Sequence, residues 1–280
     1  MFFRPRTCEE AIEALAQSGG RILAGGTDFF PALGADPVRQ PVVDITDIAE
    51  LRRIDTTADE IRIGAAVTWA AIAEARLPRA FDCLKLAARE VGAIQIQNTA
   101  TIGGNLCNAS PAADGVPPLL ALDAEVELAS PRGRRRLPVS DFVQGNRRTD
   151  LRGDEILAAV IMPRVGEEAA SAFLKLGARR YLVISIAMVA AIVEVEESRV
   201  ARARIAIGAC SPVARRLPDA EASLAGQPAD GKLSGRVKAE HLSGLSPISD
   251  VRAEAGYRRD AALTLVRRAI DRCIGVAASC

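Results

Sequence analysis

Residues Thr101–Asp114 read TIGGNLCNASPAAD, and they place many ligand-binding groups close together. The stretch contains a glycine pair, two hydroxyl groups, two asparagines and an aspartate, with little apolar bulk to bury. An ordinary surface loop is one interpretation of this composition. Loops of this length without secondary structure of their own are usually functional, however. We therefore expect an irregular segment here that binds a ligand.

A second glycine pair, Gly25-Gly26, follows a short apolar run in Ile22–Phe29 (ILAGGTDF). Glycine at the end of a strand permits a positive φ or lets the backbone lie against a ligand. Alone, the pair is typical of a tight turn. Together with Gly103-Gly104, it could hold one diphosphate through backbone N–H donors. No GxGxxG follows a strand and no GxxxxGK[ST] occurs, so the Rossmann and P-loop modes of phosphate binding are excluded.

The charge and hydropathy of the chain exclude several classes of function. Its 36 basic and 35 acidic residues nearly cancel, so there is no global charge that favours nucleic acid or an anionic membrane. The local cluster Arg132–Arg136 (RGRRR) is expected to be a solvated hairpin or a partner contact. The longest apolar run, residues 181–195, is too short for a membrane span and contains Glu194. Because no signal-peptide pattern opens the chain, we expect a cytoplasmic protein.

Cysteine and histidine usage limits the chemistry. The six cysteines are scattered without a CxxC pair, which is typical of reduced thiols in an intracellular protein. One histidine, His241, is too few for a His-rich metal site, and iron–sulfur ligation within this chain is not expected. We expect no metal ligands here. Any redox chemistry must therefore come from an organic cofactor.

The periodicity of the sequence predicts an α+β fold. Thr7–Glu10 has the form of a capping box and begins a helix that a Gly19-Gly20 pair ends. The length of 280 residues favours two or three structural units, with a linker near residues 163–168. A long polar loop is expected at residues 226–247. The other expected helices are 68–75, 83–91, 117–122, 218–225 and 258–274, and the expected strands are 42–45, 61–64, 126–128, 156–162, 173–176 and 203–209.

The two glycine motifs also carry a resemblance. AGGTD at residues 24–28, with TIGGN at 101–105 and ASPAAD at 109–114, resembles the FAD-binding (medium) subunit of molybdenum hydroxylases, the xanthine dehydrogenase and carbon monoxide dehydrogenase family. FLKLGARR at residues 173–180 resembles the C-terminal domain of that family, so the similarity covers essentially the whole chain. It implies a two-subdomain PCMH-type FAD-binding fold at residues 1–165, with subdomains at about 1–55 and 56–165. A C-terminal α+β domain with a small antiparallel sheet is implied at residues 170–280.

The same resemblance implies an FAD site built from two segments. The first segment wraps the diphosphate and the ribityl chain through backbone donors, and it comprises Ile22, Leu23, Ala24, Gly25, Gly26, Thr27, Asp28 and Phe29. The second is a further clamp on the diphosphate, formed by Thr101, Gly103, Gly104 and Asn105.

Further contacts are implied around these segments. Asp114 would bind a ribose or ribityl hydroxyl, a task that suits a carboxylate acceptor. Lys175 would lie near the isoalloxazine, where a cation stabilises a reduced flavin. The remaining positions are Ile96 and Ala100 beside the adenine or diphosphate, Asn108 and Ala113 as secondary contacts, and Leu157 near the isoalloxazine.

The residues themselves leave alternatives open. Lys175 alternates with leucines, which is also typical of the solvent-facing side of a strand. Leu157 fits a hydrophobic core equally well, and Asp114 could be an ordinary turn residue. Trp69 is expected to be a packing residue, whereas Tyr181 is a candidate for a lid over the flavin.

No catalytic residue is expected in this chain. The resemblance implies that a large partner subunit holds a molybdenum-pterin cofactor and that a small partner holds two [2Fe-2S] clusters. Electrons would pass from those clusters to FAD and on to NAD⁺ or another acceptor. A xanthine dehydrogenase-like heterotrimer is the first expectation; carbon monoxide, nicotinate-type and aldehyde dehydrogenases remain alternatives. Two rivals remain open: a non-catalytic nucleotide-binding or assembly protein, and a self-sufficient FAD oxidase, which the single histidine disfavours.

Overall fold

The computed structural model describes residues 1–166, 168–180 and 182–275. An N-terminal unit contains a parallel sheet of three short strands in the order β1-β3-β2. Its first helix begins as the capping box predicts, because Thr7 accepts a hydrogen bond from the Glu10 amide, and it ends at Gly19 in the left-handed conformation. The elements are β1 Phe2–Phe3, α1 Cys8–Ser18, β2 Arg21–Leu23, α2 Phe29–Leu33 and β3 Val42–Asp44.

The next part of the chain forms an antiparallel sheet of five strands in the order β4-β5-β10-β6-β7. Short helices cover the face of this sheet that carries Ile61, Ile63 and Val126. The strands are β4 Ile54–Thr56, β5 Glu60–Gly64, β6 Glu125–Ser130, β7 Gly133–Pro138 and β10 Ile156–Pro163, with the separate hairpin β8 Val143–Gly145 and β9 Arg148–Thr149. The helices are α3 Trp69–Glu74, α4 Asp82–Glu90, α5 Ile94–Gln97, α6 Ile102–Asn108, α7 Val116–Ala121 and α8 Val139–Phe142.

The C-terminal part forms an antiparallel sheet of four strands in the order β11-β12-β13-β14. Its strands are β11 Ala170–Leu176, β12 Ala187–Glu196, β13 Arg199–Gly208 and β14 Arg215–Arg216, and its helices are α9 Pro218–Leu224 and α10 Ala255–Cys273. Single 3₁₀ turns lie at Ala49–Arg52, Arg79–Phe81, Ser234–Arg236 and Ala239–Leu242.

Strand β12 explains the longest apolar run of the sequence. Met188, Ala190 and Ile192 belong to the core shared with the five-stranded sheet, whereas Val189 and Ala191 pack with α10 on the opposite face. Because both faces of the strand are covered, it does not alternate between apolar and polar residues. The prediction of buried core is confirmed for residues 187–193, whereas Leu182 and Ile184 of the same run are exposed. No helix in the described part of the chain is long and apolar enough to cross a membrane.

The arginine cluster forms the β6–β7 hairpin, as one of its two interpretations predicts. Each of its four arginines pairs with carboxylates of neighbouring elements. Arg134 Nη1 lies 2.7 Å from Glu127 Oε1, and Arg135 Nη2 lies 2.8 Å from Glu155 Oε2. Burial opposes ionisation of Glu127, but the hydrogen bonds from Arg62 and Arg134 lower its pKa overall. The positive charges of the hairpin are therefore largely neutralised by carboxylates of the same chain.

Candidate functional site

The first glycine loop, residues 22–29, offers backbone donors in an unbroken series. Its residues 24–28 connect β2 to α2, and among residues 24–29 only carbonyl groups take part in hydrogen bonds with the surrounding protein, such as that from the Phe30 amide to Gly26 O at 3.1 Å. Within the described residues, none of the backbone N–H groups from Ala24 to Phe29 donates to a protein acceptor. Unpaired backbone donors that point out of a loop form a binding surface for an anion.

Gly25 brings this loop into direct contact with Thr99 and Ala100, which immediately precede the second glycine segment. A Cβ atom at Gly25 would lie 2.0 Å from the carbonyl oxygen of Thr99 and 2.9 Å from the Cα of Ala100. Only a residue without a side chain fits at that distance. The adjacent Gly26 has a φ of 71° and packs against the ring of Phe30. The structure therefore brings the two glycine motifs together, although about eighty residues separate them.

The second glycine segment, residues 101–114, is not the irregular loop expected from its composition. Ile102–Asn108 form helix α6, and Thr101 is its N-cap: the Thr101 Oγ1 accepts from the Gly104 amide at 3.0 Å. The amides of Ile102, Gly103 and Asn105 also donate within the fold, to the carbonyl oxygens of Val67, Ala65 and Thr101 respectively. These four donors are engaged, so the expectation of a second cluster of free donors is wrong.

The two glycines of this segment have separate roles. A Cβ at Gly103 would lie 2.7 Å from both the Cβ and the carbonyl oxygen of Ala65, so Gly103 allows α6 to pack against the end of β5. At Gly104 such a Cβ would lie 3.1 Å from Thr101 Oγ1, and apart from the helix's own backbone no other heavy atom of the described residues lies within 4 Å. Gly104 therefore presents bare backbone on an open side of the helix, where a ligand can approach closely.

Asn105 carries the unpaired polar atom of this segment. Its Oδ1 is buried without a hydrogen-bond partner among the described residues, as is the Nε1 of the fully buried Trp69. Both side chains lie against Gly115, where a Cβ would meet Trp69 Cη2 at 2.4 Å and Asn105 Oδ1 at 2.9 Å. Trp69 is a packing residue, as predicted. An unsatisfied buried acceptor is uncommon in proteins and is consistent with a site that a ligand or water completes.

Lys175 is buried and paired, so its interpretation as a solvent-facing residue is wrong. Its Nζ lies 2.7 Å from Asp114 Oδ2 and 3.1 Å from the carbonyl oxygen of Glu90. The hydroxyl of Ser185 donates to the other oxygen of Asp114 at 3.1 Å. Burial raises the pKa of Asp114, and the positive charge of Lys175 opposes that shift. A buried ion pair of this kind adds little net stability, which favours a functional role.

The other predicted residues surround these groups. Leu157 lies in the interior of β10 opposite Leu128 and is 4% exposed, as its interpretation as a core residue expects. Ala100 and Ala113 are buried, Ile22, Ile96, Asn108 and Phe29 are half-buried, and the Asp28 side chain is exposed. Tyr181, the candidate lid, lies outside the described residues.

Two polar residues near the site were missed by sequence reasoning. Ser185 binds Asp114, and Arg147 in the turn between β8 and β9 reaches both glycine segments. No local pattern marks either residue, because the fold brings both into contact with residues far away along the chain.

Comparison with known proteins decides the family. Residues 1–165 match the FAD binding domain in molybdopterin dehydrogenase, and residues 172–273 match the CO dehydrogenase flavoprotein C-terminal domain. The chain belongs to the family of FAD-binding subunits of molybdenum hydroxylases. The family and the fold class expected from the sequence are thereby confirmed.

Relatives of this flavoprotein family match about two thirds or more of the chain. The xanthine dehydrogenase FAD-binding subunit of Escherichia coli O157:H7 is 32% identical over 281 residues, which cover 99% of this chain and 96% of the relative. The nicotinate dehydrogenase FAD-subunit of Eubacterium barkeri is 41% identical over 194 residues, 66% of this chain and 65% of the relative. The solved carbon monoxide dehydrogenase of Hydrogenophaga pseudoflava has a chain with a TM-score of 0.90 and 27% identity, and the match covers 98% of this chain and 96% of that one.

The residues of this flavoprotein subunit fit the cofactor that the family name implies. FAD carries an anionic diphosphate, and the first glycine loop supplies free donors for such an anion. Gly104 leaves open backbone, and Asn105 adds an unpaired acceptor nearby. In the described part of the chain, no cluster of His, Cys, Asp and Glu side chains forms a metal site. The donor set thus suits an organic cofactor with phosphate groups.

Proposed function

We propose that this chain is the FAD-binding electron-transfer subunit of a heteromeric molybdenum hydroxylase. The observation that carries the proposal is the series of unpaired backbone donors from Ala24 to Phe29, in contact with the backbone at Thr99-Ala100. In this arrangement residues 1–165 form the FAD-binding domain, with subdomains at about 1–55 and 56–165, and residues 170–280 form the C-terminal domain.

Each part of the site would then bind a different part of the cofactor. The amides of the first glycine loop hold the diphosphate, and Gly104 and Asn105 contact it from the opposite side. Asp114 binds a hydroxyl of the sugar or ribityl chain through the lone pairs that Lys175 and Ser185 leave open. Lys175 places a fixed positive charge beside the isoalloxazine, where it favours negative charge on the reduced ring.

The chain itself needs no acid, base or nucleophile for this role. The chemistry that bound FAD supplies is acceptance of electrons one at a time and their release in pairs. Burial raises the pKa of the Cys107 thiol on α6 to about 12, so this cysteine stays protonated and unreactive at neutral pH. The protein residues therefore orient the cofactor and set the charge around it.

The full complex is proposed to resemble xanthine dehydrogenase. A large subunit would hold a molybdenum-pterin cofactor, a small one would hold two [2Fe-2S] clusters, and NAD⁺ is the proposed final acceptor. Similarity over 99% of the chain to a xanthine dehydrogenase subunit supports this choice. A nicotinate-type complex is the second candidate, supported by the 41% identity over a shorter stretch.

Purification of the chain with its co-expressed genomic neighbours tests the proposal. The expected result is a yellow complex that contains FAD, molybdenum and iron in which a purine reduces the flavin only when all three subunits are present. A colourless protein that takes up no FAD would overturn the flavoprotein assignment. Reduction by nicotinate but not by purines would instead favour the second candidate.

A further inference from the structure

Arg147 lies where three elements of the site meet. It occupies the turn between β8 and β9, and its backbone amide donates to the carbonyl oxygen of Ala109 at 3.0 Å. Its Nη1 lies 3.5 Å from the carbonyl oxygen of Asn108 and 3.9 Å from Asp28 Oδ1. The guanidinium thus spans the gap between the end of α6 and the first glycine loop.

The backbone of Arg147 is fixed while its charged group keeps most of its donors. Its φ of 58° is a left-handed conformation that a non-glycine residue adopts only when the surrounding structure holds it there. The side chain is 59% exposed, that of Asp28 is 57% exposed, and both contacts of the guanidinium are at the limit of useful distances. An arginine has five N–H donors, and these contacts use few of them.

The negative charge of Asp28 explains why a cation lies at the position of Arg147. Asp28 belongs to the loop whose free amides suit an anion, yet its own carboxylate would repel that anion. In the described structure, the carboxylate of Asp28 forms an ion pair with Arg147. A cation at this point cancels the repulsion and can also turn donors towards phosphate oxygens.

We propose that Arg147 is the counter-charge of the diphosphate site. It offsets the carboxylate of Asp28 and strengthens binding of the FAD diphosphate to the first glycine loop. The inference rests on the proposed function, because it assumes that FAD is the ligand of this loop.

The test is titration of the flavin-free full chain with FAD, followed by flavin fluorescence, in a set of charge variants. We expect Arg147→Gln to raise the Kd about tenfold, the size of one lost charge interaction with an anion. Arg147→Lys keeps the charge and should stay within about threefold of the wild type. Arg148→Gln, on the neighbouring strand β9, is the matched control and should leave the Kd unchanged. Asp28→Asn combined with Arg147→Gln should recover most of the lost affinity.

The outcomes distinguish a failure of this inference from a failure of the proposed function. Failure of the wild-type chain to bind FAD would refute the proposed function. Normal FAD binding by Arg147→Gln would overturn only the role of Arg147. The role of Arg147 would also be overturned if Arg147→Lys bound FAD as weakly as Arg147→Gln. It would be overturned as well if adding Asp28→Asn to Arg147→Gln restored no FAD affinity. Thermal unfolding of each variant without FAD should match the wild type, since the proposed role involves the ligand and not the fold.

Discussion

The first glycine loop and the second glycine segment contain the same dipeptide but use it in different ways. At Gly25-Gly26 the surrounding amides have no protein acceptor within the described structure. At Gly103-Gly104 the amides take part in the start of a helix, and Thr101 accepts a hydrogen bond as we propose that a ligand does in the other loop. A Gly-Gly pair after a polar residue therefore does not by itself indicate free donors. The amides are free only where no side chain and no neighbouring backbone carbonyl already accepts a hydrogen bond from them.

The largest effect on FAD binding is expected where the first glycine loop touches residues 99–100. Gly25→Ala places a methyl group 2.0 Å from the Thr99 carbonyl oxygen, so the first glycine loop must move away from residues 99–100. We expect the Kd for FAD to rise at least about 100-fold and the free energy of unfolding to fall by about 1–3 kcal/mol. Gly153→Ala, where a Cβ meets nothing within 4 Å, is the control. Wild-type FAD affinity in Gly25→Ala would show that the contact is irrelevant to binding.

The largest effect on stability is expected at Asp114, if the second segment acts through side chains rather than amides. Lys175→Met leaves the buried carboxylate of Asp114 without its cation. We expect a loss of about 3–5 kcal/mol in the free energy of unfolding, measured by urea titration. Lys85→Met removes a more exposed ion pair with Asp82 at 3.8 Å and should cost less than about 1 kcal/mol. Equal losses of stability in the two variants would show that the buried Lys175–Asp114 pair matters no more to the fold than an exposed ion pair does.

Neighbouring glycines of the second segment offer a sharper comparison. Gly103→Ala meets Ala65 at 2.7 Å and should destabilise the protein by about 1–3 kcal/mol. Gly104→Ala should leave stability unchanged or raise it, since alanine favours the helix by up to about 1 kcal/mol. The same change should weaken FAD binding about tenfold, because the methyl group fills the side open to the ligand. Unaltered FAD affinity in Gly104→Ala would remove the second segment from the diphosphate site.

The smallest effect is expected at the helix cap. Thr101→Ala removes the oxygen that accepts from the Gly104 amide, which should cost about 1 kcal/mol of unfolding free energy. Thr101→Ser keeps the hydroxyl and should retain the wild-type free energy of unfolding. FAD affinity should change less than about threefold, because Thr101 serves the helix. A large loss of affinity without loss of stability would show instead that the hydroxyl binds the ligand directly.

Local patterns predicted the helix boundary at Thr7 and the buried character of residues 187–193, and the glycine motifs identified the family. These features depend on residues close together in the chain. Helix α6 was missed because glycines and asparagines have low helix propensity, and its formation depends on Val67 and Ala65 accepting its first amides. The partners of Lys175 and the place of Arg147 depend on contacts between segments far apart along the chain, which no local pattern encodes.

Residue-resolved amide hydrogen exchange with and without FAD tests the central claim most directly. The claim is that Ala24–Phe29 supply free donors to the cofactor and that Ile102–Asn105 do not. We predict that the amides of residues 24–29 exchange rapidly in the flavin-free chain and become protected when FAD binds, because the phosphate oxygens then accept from them. The amides of residues 102–105 should be protected in both states. Protection by FAD at residues 102–105, with none at residues 24–29, would contradict the account.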